Sequence, residues 1–154
     1  VEGVLIKNDP YLSVAINNGA ETNKINSQLV GDYNLPNVLA AVAIGKYFKI
    51  TDQKIQSSIE NYSPSNSRSQ LINKGTNKII LDAYNANPSS LKLAIENFAR
   101  LAGEKKVLML GAMAELGNES FDEHKAIVEI INKYKWTNVV LVGGNFLKMI
   151  IPLF

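Results

Sequence analysis

Two short apolar runs near the start, Val4 to Lys7 and Leu12 to Ile16, flank Asn8, Asp9 and Pro10. Turn-forming residues between strand-like runs predict a β-hairpin. From Asn34 the spacing changes. Leu35, Val38, Leu39 and Val42 recur at helical intervals, Asn34 is placed to cap the free amides, and Pro36 is tolerated in a first turn. Ile55, Ile59 and Tyr62 predict a shorter second helix. Residues 63–69 (SPSNSRS) are polar and without periodicity, which makes them the candidate domain boundary.

Beyond that segment strands and helices alternate. Lys78 to Asp82 reads as a short apolar strand. It is followed by Asn87 and Pro88 as cap and first helical residue, then by Leu91, Ala94, Ile95, Phe98 and Ala102 on one helical face, with Gly103 as the stop. Val107 to Leu110 predicts another strand. Ser120 to Glu123 has the form of a capping box ahead of the stripe Ile127, Ile130, Ile131 and Tyr134. Val139 to Val142 predicts a third strand, ending in Gly143 and Gly144. Apolar strands joined by amphipathic helices imply right-handed crossovers, so the expected fold is α/β with a Rossmann-like, doubly wound parallel sheet. Ligands of such sheets sit at the carboxyl ends of the strands, which points to residues 82–87, 111–117 and 143–145.

The 46% hydrophobic content with 19% charged residues excludes a disordered chain. Sixteen basic and fourteen acidic residues are scattered instead of striped, so a nucleic-acid footprint is not expected. With no cysteine and a single histidine, His124, thiolate metal sites and disulfides are excluded and imidazole ligation is limited. No apolar run approaches the roughly 18 residues of a membrane span, and the expected location is cytoplasmic. Both ends look cut: the chain opens on a strand-like run and stops at Ile150, Ile151, Pro152, Leu153 and Phe154, an apolar ending that suggests continuation.

Polar groups are dense just after the Lys78 to Asp82 strand. A carboxylate at Asp82 can accept two hydrogen bonds from vicinal hydroxyls, as a nucleotide ribose requires. Equally, Asp82 can simply end a strand and Asn87 cap a helix. No G-x-x-x-x-G-K-[ST] phosphate loop occurs in these residues, and no acid–histidine cluster suits two magnesium ions.

Three strings, in order, resemble segments of the Mur ligase family: GDYNLPNVLAA at 31–41, DAYNANPSS at 82–90 and VLMLGAMAELGNESFDEH at 107–124. The second string is far more selective than a lone glycine-rich loop. The resemblance implies an ATP- and Mg2+-dependent amide-bond ligase of peptidoglycan biosynthesis. It would activate a UDP-N-acetylmuramoyl-tripeptide carboxylate as an acyl phosphate and join it to D-alanyl-D-alanine. It implies domain limits too: 1–62 as the last part of a central P-loop-type ATP-binding domain, 63–69 as linker, and 70–154 as an acceptor-binding domain incomplete at its end. The metal ligands and phosphate loop would belong to segments outside this sequence. An unpartnered central-domain piece would also expose apolar surface within residues 4–48.

By position, the resemblance places Asn34 and Asn37 near the adenine, Arg68 on the terminal phosphate, and Asp82 on the ribose. Tyr84, Asn85 and Asn87 would face the dipeptide, with Glu115 a partner for its ammonium group. Each has a plainer alternative: Asn34 as helix cap, Arg68 as a solvated cation, Glu115 as an exposed loop carboxylate. His124 is open to an acid–base role or to a structural contact. The chain departs from the family pattern at Tyr33, where histidine is frequent, and at Ala112, where aspartate is usual. Two other readings remain: a related ligase with a different amino acceptor, of muramoyl-peptide or folylpolyglutamate synthase type, and a non-catalytic α/β binding module.

Overall fold

Strands β1 (Glu2–Asn8) and β2 (Tyr11–Asn18) pair antiparallel around Asp9 and Pro10, as the turn residues predict. The computed structural model describes residues 1–150; the expectation about the apolar ending at Ile151 to Phe154 lies outside them. A third strand, β3 (Lys24–Val30), pairs antiparallel with β2 and was not foreseen. Its inward alternation is Ile25, Ser27 and Leu29, and the serine breaks the apolar pattern. Ser27 is buried because its hydroxyl donates to the Leu12 carbonyl at 2.9 Å, which meets its hydrogen-bonding need inside the core.

After a single 3-10 turn at Asp32–Asn34, helix α1 (Leu35–Tyr47) and helix α2 (Asp52–Asn61) follow. Leu12, Val14, Ile16 and Ile25 from the sheet meet Val38 and Val42 of α1 and Ile55 of α2 in one buried cluster. Asp52 clamps the approach of the two helices. Its carboxylate accepts from Lys46 Nζ at 2.6 Å and from the Glu21 backbone N–H at 2.6 Å, and the Lys46 bond holds the Asp52 carboxyl below the usual carboxylate range. Val4, Leu5 and Ile6 on β1, and Ile44, Tyr47 and Phe48 at the end of α1, are exposed, as expected for an apolar surface within residues 4–48.

Strands β4 (Gln70–Lys74) and β5 (Asn77–Leu81) form an antiparallel hairpin in register from Gln70↔Leu81 to Lys74↔Asn77. This corrects the expectation that the 78–82 strand would join a three-stranded parallel sheet. The cause is the two-residue loop Gly75–Thr76, with Gly75 at φ 59°, a conformation that matches the twist of paired strands. The parallel sheet among the described residues is formed by β6 (Val107–Gly111) and β7 (Asn138–Val142).

Helices α3 (Pro88–Arg100), α4 (Ser120–Ile131) and α5 (Gly144–Ile150) accompany that sheet. Ile95 of α3, Leu108 of β6, Ile127, Ile130 and Ile131 of α4, and Phe146 of α5 form the second core, with Met113 between them. Asn87 caps α3 as predicted: its side chain accepts from Ser90 N at 2.9 Å while Ser90 Oγ accepts from the Asn87 N–H. The predicted Ser120 box does not form. Ser120 is already the first helical residue, and its hydroxyl and carbonyl turn to Asn145 and His124.

The two cores belong to two compact units, Val1–Tyr84 and a second beginning at Asn85. The hairpin β4–β5 therefore clusters with the first unit, beyond the 63–69 segment from which the sequence reading placed a boundary. No helix among the described residues is long and apolar enough to cross a membrane.

Truncating the fully buried Ile25 to alanine is expected to cost about 2–5 kcal/mol of unfolding free energy, whereas Ile44→Ala, at 59% exposure, should stay within about 0.5 kcal/mol. Urea denaturation of the two variants measures the difference.

Candidate functional site

In the first unit the segment 67–69 crosses the end of the β4–β5 hairpin, and its backbone is bent for the purpose. Ser67 and Ser69 hold φ of 59° and 49°, a left-handed conformation that non-glycine residues adopt only where their surroundings enforce it. The surroundings here are hydrogen bonds. The Ala83 N–H donates to the Ser67 carbonyl at 2.8 Å. The Ser69 N–H donates to Asp82 Oδ1 at 3.2 Å and its hydroxyl to Asp82 Oδ2 at 3.3 Å.

Because that hydroxyl proton is committed to Asp82, the 2.6 Å contact between Tyr33 Oη and Ser69 Oγ is a donation from the tyrosine. A chain of donors therefore runs Tyr33 to Ser69 to Asp82. Burial pushes the Tyr33 phenol above its ordinary range, and the nearby charges of Asp82 and Asp32 push the same way. Ser69 was missed by sequence reasoning, since a serine in a polar segment carries no periodic signal.

Beside this chain the Arg68 guanidinium lies over the Tyr84 ring, 3.9 Å from its centroid. Both residues are exposed, and stacking leaves the guanidinium N–H edge open to an anion. Arg68, Asp82 and Tyr84, three predicted site residues, are thus gathered at the carboxyl end of β5.

Asn34 and Asn37 form a pair at the start of α1. Asn34 occupies the cap position without making a side-chain cap bond, contrary to the sequence expectation. Its amide instead donates to the Val30 carbonyl at 2.9 Å, and its oxygen accepts from Asn37 Nδ2 at 2.9 Å. The pair fixes the exposed Asn37 amide while leaving it an oxygen and an N–H able to meet a base edge.

The second unit holds the remaining candidates. Asn85 and Asn87 are exposed, and Asn87 has its oxygen committed to capping α3, which leaves its NH2 group for any ligand. Glu115 stands on the loop after β6 at φ 62° and lines a cavity of about 480 Å³. Residues 113–118 form one wall, and Ser120, Phe121 and Asn145 complete the lining. The rim predicted at 143–145 thus contributes Asn145.

The loops after β6 and β7 touch closely. Ala112 N–H donates to the Val142 carbonyl at 2.8 Å, and a Cβ at position 143 would fall 2.6 Å from that of Ala112. Gly143 is required there by that contact and by its φ of 117°. His124 is fully buried with both ring nitrogens hydrogen-bonded, which removes it from acid–base work and leaves the structural alternative.

Comparison with known proteins identifies the family. A family model described as Mur ligase, glutamate ligase domain, matches residues 67–150, more than half of the 154 residues. The chain belongs to the Mur ligase family. It is 36% identical over 117 residues to the UDP-N-acetylmuramoyl-tripeptide--D-alanyl-D-alanine ligase of Bacillus subtilis, covering 75% of this chain and 26% of that protein. MurF from Acinetobacter baumannii, known from a crystal structure, superposes with a TM-score of 0.75 at 26% identity, over 94% of this chain and 31% of that one. The MurF ligase of Thermotoga maritima, solved in complex with ADP, shares the fold at 20% identity and a TM-score of 0.67, over 99% of this chain and 38% of that one. The chain thus spans about a quarter of the length of the curated Mur ligases it matches. The match from residue 67 includes the hairpin and the Arg68–Asp82–Tyr84 cluster as well as the second unit.

Replacing Tyr33 with phenylalanine removes the first donor of the chain and should cost about 1 kcal/mol at neutral pH. A phenol whose folded pKa is raised above its unfolded value of 10.0 gives stability that is present below pH 10 and lost as pH rises through the folded value. Denaturation from pH 8 to 11 should therefore show a shallower alkaline loss in Tyr33→Phe than in the parent chain.

Proposed function

We propose that this chain supplies part of the nucleotide-binding side and the acceptor-binding side of an ATP-dependent Mur ligase that adds D-alanyl-D-alanine to a UDP-N-acetylmuramoyl-tripeptide. The observation that carries the reading is the gathering of Arg68, Asp82 and Tyr84 around Ser69, with Tyr33 behind it. Asp82 meets the ribose hydroxyls, and the Asn34–Asn37 pair meets the adenine edge. Arg68 counters charge on the transferring phosphoryl oxygens, as a planar, permanently charged group is suited to do.

In such a reaction the tripeptide carboxylate takes the terminal phosphoryl group of ATP, with release of ADP. The dipeptide amine then attacks the acyl carbon, and phosphate leaves as the amide forms. Asn85, Asn87 and Glu115 of the second unit orient that amine, which matters because the acyl phosphate must meet it before water does. Among the described residues there is no group of three or more acids and histidines able to hold a metal ion. The Mg2+ ligands and the phosphate loop belong, on this reading, to further segments of the enzyme, and the reaction takes place in the cytoplasm.

The named relatives favour the dipeptide over a single amino acid as acceptor. A ligation assay of the complete enzyme with D-alanyl-D-alanine against meso-diaminopimelate, lysine and glutamate separates this reading from that of a related ligase. Absence of any ligation alongside retained nucleotide binding would leave only a binding module. In the same assay Arg68→Ala should lower kcat by roughly a hundredfold. Asp82→Ala should raise the KM for ATP by roughly tenfold or more. Normal turnover in both variants refutes the proposed roles.

A further inference from the structure

His124 is the one histidine of the sequence, it has no solvent exposure, and the chemistry proposed above makes no use of it. Its hydrogen bonds define its protonation state. The Met113 backbone N–H donates to Nε2 at 3.0 Å, so Nε2 carries a lone pair. The Ser120 carbonyl lies 2.6 Å from Nδ1 and can only accept, so Nδ1 carries the proton. This is the neutral tautomer, and protonation at Nε2 would set two N–H groups against each other. The Phe146 ring meets the imidazole edge-on at 4.8 Å between centroids.

The bonds reach three different elements around the cavity. Met113 lies in the loop after β6 that carries Glu115; Ser120 begins α4; and Asn145, near the start of α5, donates to Ser120 Oγ at 3.0 Å. Glu115 itself is held at φ 62°, a conformation that a free loop would leave. The loop is anchored ahead of Glu115 by the imidazole and behind it by the Glu119 N–H to the Leu116 carbonyl at 3.1 Å. A phenylalanine at 124 would keep an aromatic ring there, somewhat larger than imidazole, but it would strand the Met113 amide.

We propose that His124 is a positioning residue for the acceptor amine: as the Nδ1-protonated tautomer it fixes the Met113–Gly117 wall of the cavity so that Glu115 is set in advance for an ammonium group. The identity of that amine as D-alanyl-D-alanine rests on the function proposed above; the tautomer and the anchoring do not.

The test is steady-state kinetics of the complete ligase with His124→Phe, which keeps an aromatic ring but removes the acceptor, and His124→Gln, whose side-chain oxygen can still accept from Met113. His124→Phe should raise the KM for the amine substrate roughly tenfold or more while KM for ATP and for the UDP-tripeptide stays within about twofold, and His124→Gln should recover most of the loss. Equal loss towards all three substrates, or an unchanged KM for the amine in a folded His124→Phe enzyme, overturns the proposal. Should His124→Phe fail to fold, the Gln variant and the parent protein still decide. Imidazole 15N shifts of the parent must report a protonated Nδ1 and a hydrogen-bonded, unprotonated Nε2, and the opposite tautomer overturns the proposal. If the parent enzyme refuses D-alanyl-D-alanine and takes another amine, the substrate reading fails on its own, and the KM comparison is then made with that amine.

Discussion

Asp82 directly follows strand β5 and has both carboxylate oxygens engaged, one by the Ser69 N–H and one by the Ser69 hydroxyl. Charge-assisted bonds of this kind are stronger than neutral ones, and here they join the two ends of a hairpin whose loop lies at the far side. The left-handed turns at Ser67 and Ser69 persist because these bonds hold them. Those turns in turn decide where Arg68 projects, since a residue between two left-handed neighbours has little freedom of direction. The guanidinium reaches Tyr84 because the bonds of Ser67 and Ser69 bring the strand ends together.

The second unit solves a similar problem with different means. Its parallel strands β6 and β7 end in loops that approach within a Cβ of each other at Ala112 and Gly143. Ligand cavities at the carboxyl ends of parallel strands need such loops to be held without filling the space between them. Backbone bonds do part of this, through Ala112 and Val142, and one buried imidazole does the rest. Every polar atom of that imidazole has a partner, so its burial does not carry the penalty of an unsatisfied group.

Much of this was legible in the sequence, and the failures have physical causes. Helical stripes located α1 to α4 because each buries one apolar face, and Asn87–Pro88 marked a helix start that the structure forms with a reciprocal cap. Strand β3 escaped because a hydrogen-bonded serine occupies a core position. Strand β4 escaped because its two apolar residues, Leu71 and Ile72, are adjacent and show no period; the following Gly75–Thr76 pair was the available hairpin signal. Missing that turn placed β5 in the wrong sheet. Among candidate residues, Arg68, Asp82 and Tyr84 were each named from the resemblance, whereas their gathering and the part of Ser69 in it were not, because they depend on backbone angles that composition does not encode.

The departures at Tyr33 and Ala112 are best understood through their neighbours. A phenol at 33 reaches 2.6 Å to Ser69, whose proton is already given to Asp82, so the position calls for a donor. Tyrosine is a donor throughout the neutral range, and burial strengthens that by disfavouring the phenolate. An imidazole at the same place could act only in the tautomer or charge state that presents an N–H, making the link depend on protonation. Ala112 lies where the loops after β6 and β7 meet. A Cβ on Gly143 would fall 2.6 Å from the Ala112 Cβ, and the Ala112 N–H is given to Val142. The close approach of the two loops therefore restricts position 143 to glycine. The acidic character of the cavity wall rests instead on Glu115, three residues along, which the backbone turn at φ 62° brings to the lining.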